Sequence, residues 1–259
     1  MKTRQTAEPS VRSYSVTHPP GQAVLPIEDG WDQLLYTATA TITVAVANGS
    51  WTIPPRRALW IPGGAPAMVS NRFPAAVRSL YFDTSLQALP ASVRAVDVTG
   101  LVRELLLHAV RSCPLDTNQP IHQALLTVLV DQLHQLPEAA LWLPIPAASR
   151  AAQAAAELIR KTPTLSLPAI ARAVGVSQRT LERAFVAATG VTLGAWRRRS
   201  RILGSLDYLA AGVPVTETAL IVGYSNPSAF VTAFKNELGQ TPRHYLRLGA
   251  SGISADYPG

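Results

Sequence analysis

The sequence predicts an α+β protein: an N-terminal antiparallel β-barrel or sandwich with helices, followed by a C-terminal all-α domain. Three observations carry this. From Thr37 to Val46 threonine alternates with Ala, Ile or Val; from Leu101 onward apolar residues recur at three- and four-residue steps; and a helix-turn pattern repeats within the C-terminal part. Of 259 residues 47% are apolar and 15% charged, which suits a globular chain and excludes a disordered one. The net charge of +7 is unevenly placed: residues 1–146 hold ten Lys/Arg and ten Asp/Glu, whereas 147–259 hold thirteen and six. A neutral part joined to a basic part points to an anionic partner, nucleic acid first. The single Cys113 excludes an intramolecular disulfide or thiolate metal cluster and fits a reduced compartment. Met1 to Ser15 is polar, and no stretch approaches the roughly 18 uninterrupted apolar residues of a membrane helix. A cytoplasmic protein without a membrane segment is expected.

The period-two run Thr37 to Val46 reads as a strand with one buried face. Asn48-Gly49 suits a tight hairpin turn, and Trp51-Thr52-Ile53 returns as the partner until Pro54-Pro55 stops it. Ala58 to Ile61 and Val77 to Phe82 are further short strands. The residues Gln33-Leu34-Leu35-Tyr36, the hairpin, Ala58-Leu59-Trp60-Ile61-Pro62 and Gly64-Ala65-Pro66 resemble the cupin-like sensor barrel that precedes the DNA-binding part of many AraC-type regulators. Where that pattern usually has histidines this chain has Asp32 and Ala67, and it has no histidine between residues 19 and 107, so a cupin metal site is not expected. A barrel interior without metal still accommodates a small molecule, and Trp31, Tyr36, Trp51, Trp60, Met68 and Tyr81 are the candidates to line it, against a plain role as core. Arg56, Arg57 and Arg78 are placed to pair with an anionic ligand or to be solvated surface.

Two amphipathic helices follow within residues 101–136, the second capped by Asp116-Thr117-Asn118 with Pro120 in its first turn. Their apolar stripes bury either against a second subunit or against their own barrel. Pro137, Pro144 and Pro146 break the helical pattern, so the chain is expected to divide into an N-terminal domain (1–136), for which the resemblance implies sensing and dimerisation, a linker (137–148) and a helical domain (149–259).

In that last part, Ala171-x-x-x-Gly175-Val176-Ser177 recurs 48 residues later as Ala219-x-x-x-Gly223-Tyr224-Ser225, while Phe185 and Gly190 recur 49 residues later as Phe234 and Gly239. Each copy reads as a short helix, a glycine turn, a capping serine and a longer helix, with one extra residue after the second turn. Thr192 to Ala210 between the copies spans 19 residues. That is roughly 28 Å of helix, close to the ~34 Å between successive major-groove faces of B-DNA. The segments AIARAVGVSQRTLERAF, TGVTLGAWRRRSRI and TETALIVGYSNPSAFVTAFKNELGQTPRHYLR resemble the two-motif DNA-binding domain of the AraC family of transcriptional regulators.

The resemblance implies a sequence-specific DNA-binding regulator without catalysis or cofactor. Its implied partners are double-stranded DNA, a small-molecule effector, a second subunit paired through residues 101–136, and the transcription machinery if it activates. The alternative is a cupin-type enzyme with an accessory helical nucleic-acid-binding domain, favoured by stoichiometric metal in the purified protein. Carried over by position, the first recognition helix is Gln178 to Ala188, with Ser177, Gln178, Arg179, Glu182 and Arg183 toward DNA. Arginine grips guanine O6 and N7 together; glutamate accepts from cytosine N4, or alternatively orients Arg179 or Arg183. In the second motif the corresponding residues are Ser225, Asn226, Pro227, Ser228, Thr232, Lys235 and Arg243. None of Pro227, Ser228 and Thr232 is a long donor, so phosphate contact is expected to weigh more there. Within Arg197-Arg198-Arg199-Ser200-Arg201 the helix turns through most of a circle, so at least two of the arginines are expected to serve the protein itself.

Overall fold

The computed structural model describes residues 9–25, 29–46, 49–88 and 91–245. Ten strands occur among them: β1 (Val11–His18), β2 (Gly21–Val24), β3 (Trp31–Thr37), β4 (Ile42–Val46), β5 (Gly49–Ile53), β6 (Arg57–Ile61), β7 (Ala67–Asn71), β8 (Ala75–Asp83), β9 (Arg94–Asp97) and β10 (Trp142–Pro144). The α-helices are α1 (Gly100–Ser112), α2 (Pro120–His134), α3 (Arg150–Lys161), α4 (Leu167–Ala173), α5 (Gln178–Thr189), α6 (Leu193–Ala210), α7 (Val215–Ile221) and α8 (Pro227–Leu238). The α+β class expected from the sequence is the one observed. None of these helices is long and apolar enough to cross a membrane.

The chain divides into two compact units, residues 1–39 with 55–139, and residues 40–54 with 140–259. In the first unit β1, β8, β3, β6 and β9 form an antiparallel sheet in that order, and β2 pairs with β7. Alternation sends Leu34, Tyr36, Ala58, Trp60, Leu80 and Phe82 to one face, where they meet Leu106 of α1 and Leu129 and Leu133 of α2 in a single core. Each such fully buried large side chain stabilises by about 1.5–3 kcal/mol. The helical stripes thus bury on their own sheet, and α1 and α2 leave Leu101, Ile121 and Val128 exposed.

Four expectations are corrected. The strand over residues 37–46 is interrupted: Ala38 donates to Ala76 O (3.1 Å) and Thr39 Oγ1 accepts from Ala76 N–H (3.2 Å), so the chain bends before β4 begins. The β4–β5 hairpin groups with the C-terminal helices; Asn48 at its tip lies outside the described residues. α2 starts at Pro120 with Gln119 as a cap that makes no side-chain bond, because Asp116 is turned back onto Asn118 N–H (2.9 Å). The expected linker is structured: Glu138 bridges to Val96, Ala139 donates to Ala95 O (2.8 Å), and β10 pairs with β5. Pro144 fits there because β10 is an edge strand and has no ladder bond to give on its outer side.

The second unit holds β10, β5 and β4, paired antiparallel in that order, with α3 to α8. Ser149, Ser166, Ser177 and Thr192 cap α3, α4, α5 and α6 by accepting from backbone N–H groups. Each cap satisfies a donor that the first helical turn leaves free.

Candidate nucleic-acid interface

The sequence repeat folds into one backbone device used twice. In the first copy Val176 N–H donates to Ala171 O (3.1 Å), and Gly175 sits at φ +74°. In the second, Tyr224 N–H donates to Ala219 O (2.9 Å), with Gly223 at φ +87°. Ala171 and Ala219 are buried where the paired helices approach. α5 and α8 both end on a left-handed glycine, Gly190 and Gly239. The extra residue of the second copy falls at the cap: Ser177 caps α5 through Thr180 N–H (3.1 Å), but Asn226, not Ser225, caps α8 through Ser228 N–H (2.8 Å).

α5 turns Leu181 and Phe185 into the core and leaves Gln178, Arg179 and Arg183 exposed. Glu182 accepts from Gln178 Nε2 (2.8 Å), so it orients that amide and not Arg179 or Arg183. On α8, Phe230 and Phe234 are buried, while Ser228, Thr232 and Lys235 are exposed and Pro227 is half-buried. Thr232 Oγ1 donates back to Ser228 O (3.1 Å). Ser225, Asn226 and Arg243 are exposed at the same end and beyond the helix. The outward positions in the first half of α5 and α8 therefore differ in reach, long amide and guanidinium groups against short hydroxyls, with Lys235 a long cation farther along α8.

The arginine run is engaged inside this unit to a greater extent than expected. Arg197 Nη2 donates to Pro163 O (3.1 Å) and to Leu165 O, and Arg201 Nε donates to Pro163 O (3.0 Å). Arg198 and Arg199 each pair with Glu237 of α8 at 3.2 Å. Burial lowers the proton affinity of Arg197 and Arg201, yet guanidinium stays charged, so the carbonyls of the 163–165 loop offset the desolvation. Arg201 lies 5.8 Å from the ring centroid of Tyr224, whose phenol is pushed up by burial against the lowering effect of that same guanidinium. The signal in the sequence was the i,i+4 spacing of Arg197 and Arg201, which places both on one helical face.

In the first unit the structure does not bring the six candidate lining residues together. Tyr36 and Trp60 lie in the core beneath α1 and α2. Trp31 and Tyr81 occupy the opposite face of the sheet, because Trp31 and Tyr36 are five residues apart on one strand. Met68 is 42% exposed between the buried Ala67 and Val69, so it points outward. Trp51 is half-buried on β5, in the second unit. On the Trp31 face, Gln33 Nε2 donates to Ser79 Oγ (3.0 Å) and Tyr81 Oη (3.1 Å), and the Arg12 guanidinium stands 4.0 Å from the Trp31 ring centroid. Sequence reasoning missed Arg12, Gln33 and Ser79. Gln33 was within reach of it, sharing the parity of Trp31. Asp32, at a position where the resembling pattern has histidine, accepts from Gly63 N–H (2.8 Å). Arg57 is buried and paired with Asp97, and Arg78 donates to Val77 O (3.0 Å).

The family described as a helix-turn-helix domain matches residues 170–248. The HTH-type transcriptional regulator NimR of Escherichia coli (strain K12) is 31% identical over 216 residues, 83% of this chain and 79% of that protein. The HTH-type transcriptional regulator RipA of Corynebacterium glutamicum is 32% identical over 115 residues, 42% of this chain and 34% of that protein. Among solved structures, unsaturated fatty acid bound ToxT from Vibrio cholerae aligns over 95% of this chain and 97% of its own at 12% identity and a TM-score of 0.38. The duplicated turn geometry and the relationship to NimR together establish that this chain belongs to the AraC family of helix-turn-helix transcriptional regulators.

Proposed function

We propose that this regulator reads its operator mainly through the first motif, with the helices of residues 149–259 as the DNA-binding part, braced by residues 40–54 and 140–148 of the same unit, and the first unit as the sensing and dimerising part. The observation that carries the reading is the exposed set Gln178, Arg179 and Arg183 at the start of α5, opposite the short Ser228 and Thr232 of α8. Arginine donates to both acceptors of a guanine edge, and glutamine donates to adenine N7 while accepting from its N6 amino group; serine and threonine span no such pair. Selection of bound sequences from a random DNA pool by the full chain tests this. Strong sequence preference is expected in one half of the recovered site and weak preference in the other; a pool that returns no common sequence overturns it.

The effector site is assigned to the Trp31 face of the first unit, where Arg12, Gln33, Ser79 and Tyr81 supply polar groups beside an aromatic wall. Burial raises the Tyr81 phenol, with Arg12 acting against it, so Tyr81 stays a neutral hydrogen-bonding group at neutral pH. A screen of small molecules by thermal shift, repeated with Tyr81→Phe, tests the assignment: a stabilising compound whose effect is unchanged in the variant binds elsewhere. Dimerisation is assigned to the exposed Ile121 and Val128 of α2, seven residues apart and so on one face of the helix, turned away from the buried Leu126, Leu129 and Leu133. Val128→Glu is expected to yield monomer in sedimentation.

A further inference from the structure

We propose that the outer edge of β10 positions both recognition helices, through Arg199 for the second and Trp196 for the first. In an antiparallel strand alternate residues turn their backbone groups to the same side. Leu141 O faces β5 and accepts from Thr52 N–H (3.0 Å). The carbonyls of Ala140, Trp142 and Pro144 therefore point the other way, and side chains of α6 take all three. Arg199 Nε donates to Trp142 O (2.7 Å), Arg199 Nη2 to Ala140 O (3.1 Å), and Trp196 Nε1 to Pro144 O (2.8 Å). Proline suits the last position, since its missing N–H would have faced the same outer side.

Each of these two side chains also holds a recognition helix. The remaining edge of the Arg199 guanidinium donates through Nη1 to Glu237 Oε2 of α8 at 3.2 Å, while Arg198 Nε takes Oε1. A carboxylate in the last turn of a helix opposes the helix dipole, so Glu237 depends on its arginines. Glu237 and Arg199 are 17% and 26% exposed, which shields the pair from the screening that empties a surface ion pair of its value. The planar fork fixes the angle between the β10 carbonyls and Glu237, which a lysine cannot do. Trp196, three residues earlier on α6 and fully buried, meets Phe185 of α5 edge-on at 5.4 Å between centroids. One row of three carbonyls thus holds α6 at two points, and each point carries a different recognition helix.

The inference rests on the reading that the two motifs occupy two half-sites. The test is quantitative footprinting of the full chain on its selected site, with thermal unfolding alongside; the first half-site is the one whose protection Arg179→Ala removes. Arg199→Gln and Glu237→Gln are each expected to weaken protection of the second half-site about tenfold and leave the first. Trp196→Phe keeps the ring but removes the N–H, and is expected to weaken the first half-site and leave the second. Arg199→Lys, which retains a charge for Glu237 without the fork, is expected to fall between Arg199→Gln and the parent. Opposite half-site signatures are not produced by a general loss of stability. Equal weakening of both half-sites in Arg199→Gln and Trp196→Phe, no change in either, or an Arg199→Lys variant identical to the parent overturns the proposal. A parent with no two-part footprint overturns the two-half-site reading and this inference with it.

Discussion

The two helix-turn-helix motifs share a backbone and divide the labour differently. Around the first, the turn glycine has open space beside it, Phe185 of α5 packs edge-on against Trp196, and long polar side chains reach outward. Around the second, a Cβ at Gly223 would lie 2.7 Å from Pro163 O and 2.8 Å from Arg201 Nη2. Tyr224, Phe230, Phe234 and Tyr245 stack edge-to-face in series at 5.5, 5.7 and 5.6 Å, and the outward Ser228 and Thr232 are short. At about 0.5–1.5 kcal/mol for each aromatic pair beyond its buried area, the second motif is the more firmly built. Duplicating a motif leaves one copy free to specialise in reach and the other in anchorage, while the hydrogen bond from the fifth residue back to alanine stays common to both.

The widest difference is expected at the turn glycines. Gly175→Ala places a Cβ in the left-handed region and is expected to cost about 1–2 kcal/mol. Gly223→Ala bears that strain and, with Pro163 O and Arg201 in the way, an overpacking cost of about 1–3 kcal/mol more. Denaturant unfolding of the full chain ranks them, and equal losses would mean that the loop at Pro163 yields without cost. Next comes base contact. Arg179→Ala is expected to lose about 1–3 kcal/mol at the selected site and little on random DNA, whereas Thr232→Ala stays within about 0.5 kcal/mol on both. Binding titrations that show the reverse order would assign readout to the second motif. The caps should erase the difference: Ser177→Ala and Asn226→Ala each remove a side-chain acceptor and are expected to cost about 1 kcal/mol of stability alike. Smallest is Lys235→Gln, expected to weaken all DNA sequences evenly and to reduce the salt dependence of binding by about one counterion.

What was legible in the sequence follows from the range of each interaction. The turn glycines, the start of α5 at Gln178 and the Ser177 cap rest on bonds spanning three to five residues, and sequence spacing records those. The extra residue of the second copy was visible as a shift from 48 to 49, but only the geometry shows that it moves the cap to Asn226. The partners of Arg199 lie 38 to 59 residues away, and those of the β4–β5 hairpin farther still: Arg160 Nη2 donates to Ser50 Oγ (3.3 Å) across 110 positions, and Thr41 Oγ1 to Leu206 O (3.0 Å) across 165. No local pattern encodes such pairings. Trp31 and Tyr36 are an intermediate case: their opposite faces follow from strand parity alone, which outweighs their shared aromatic character.

The hairpin's bonds to the helices bear on how such regulators can be recombined. A gene fusion that transplants only residues 149–259 leaves behind the acceptor of the buried Trp196 indole and both carbonyls that Arg199 holds. An abandoned buried donor costs about 1–3 kcal/mol, enough to loosen the clasp without unfolding the helices. A chimera joined after Pro144 would bind DNA through helices whose mutual angle the new host had not set. Exchange of whole blocks becomes neutral only when residues 40–54 and 140–144 travel with the helices, so the unit of inheritance is discontinuous along the gene although continuous in space.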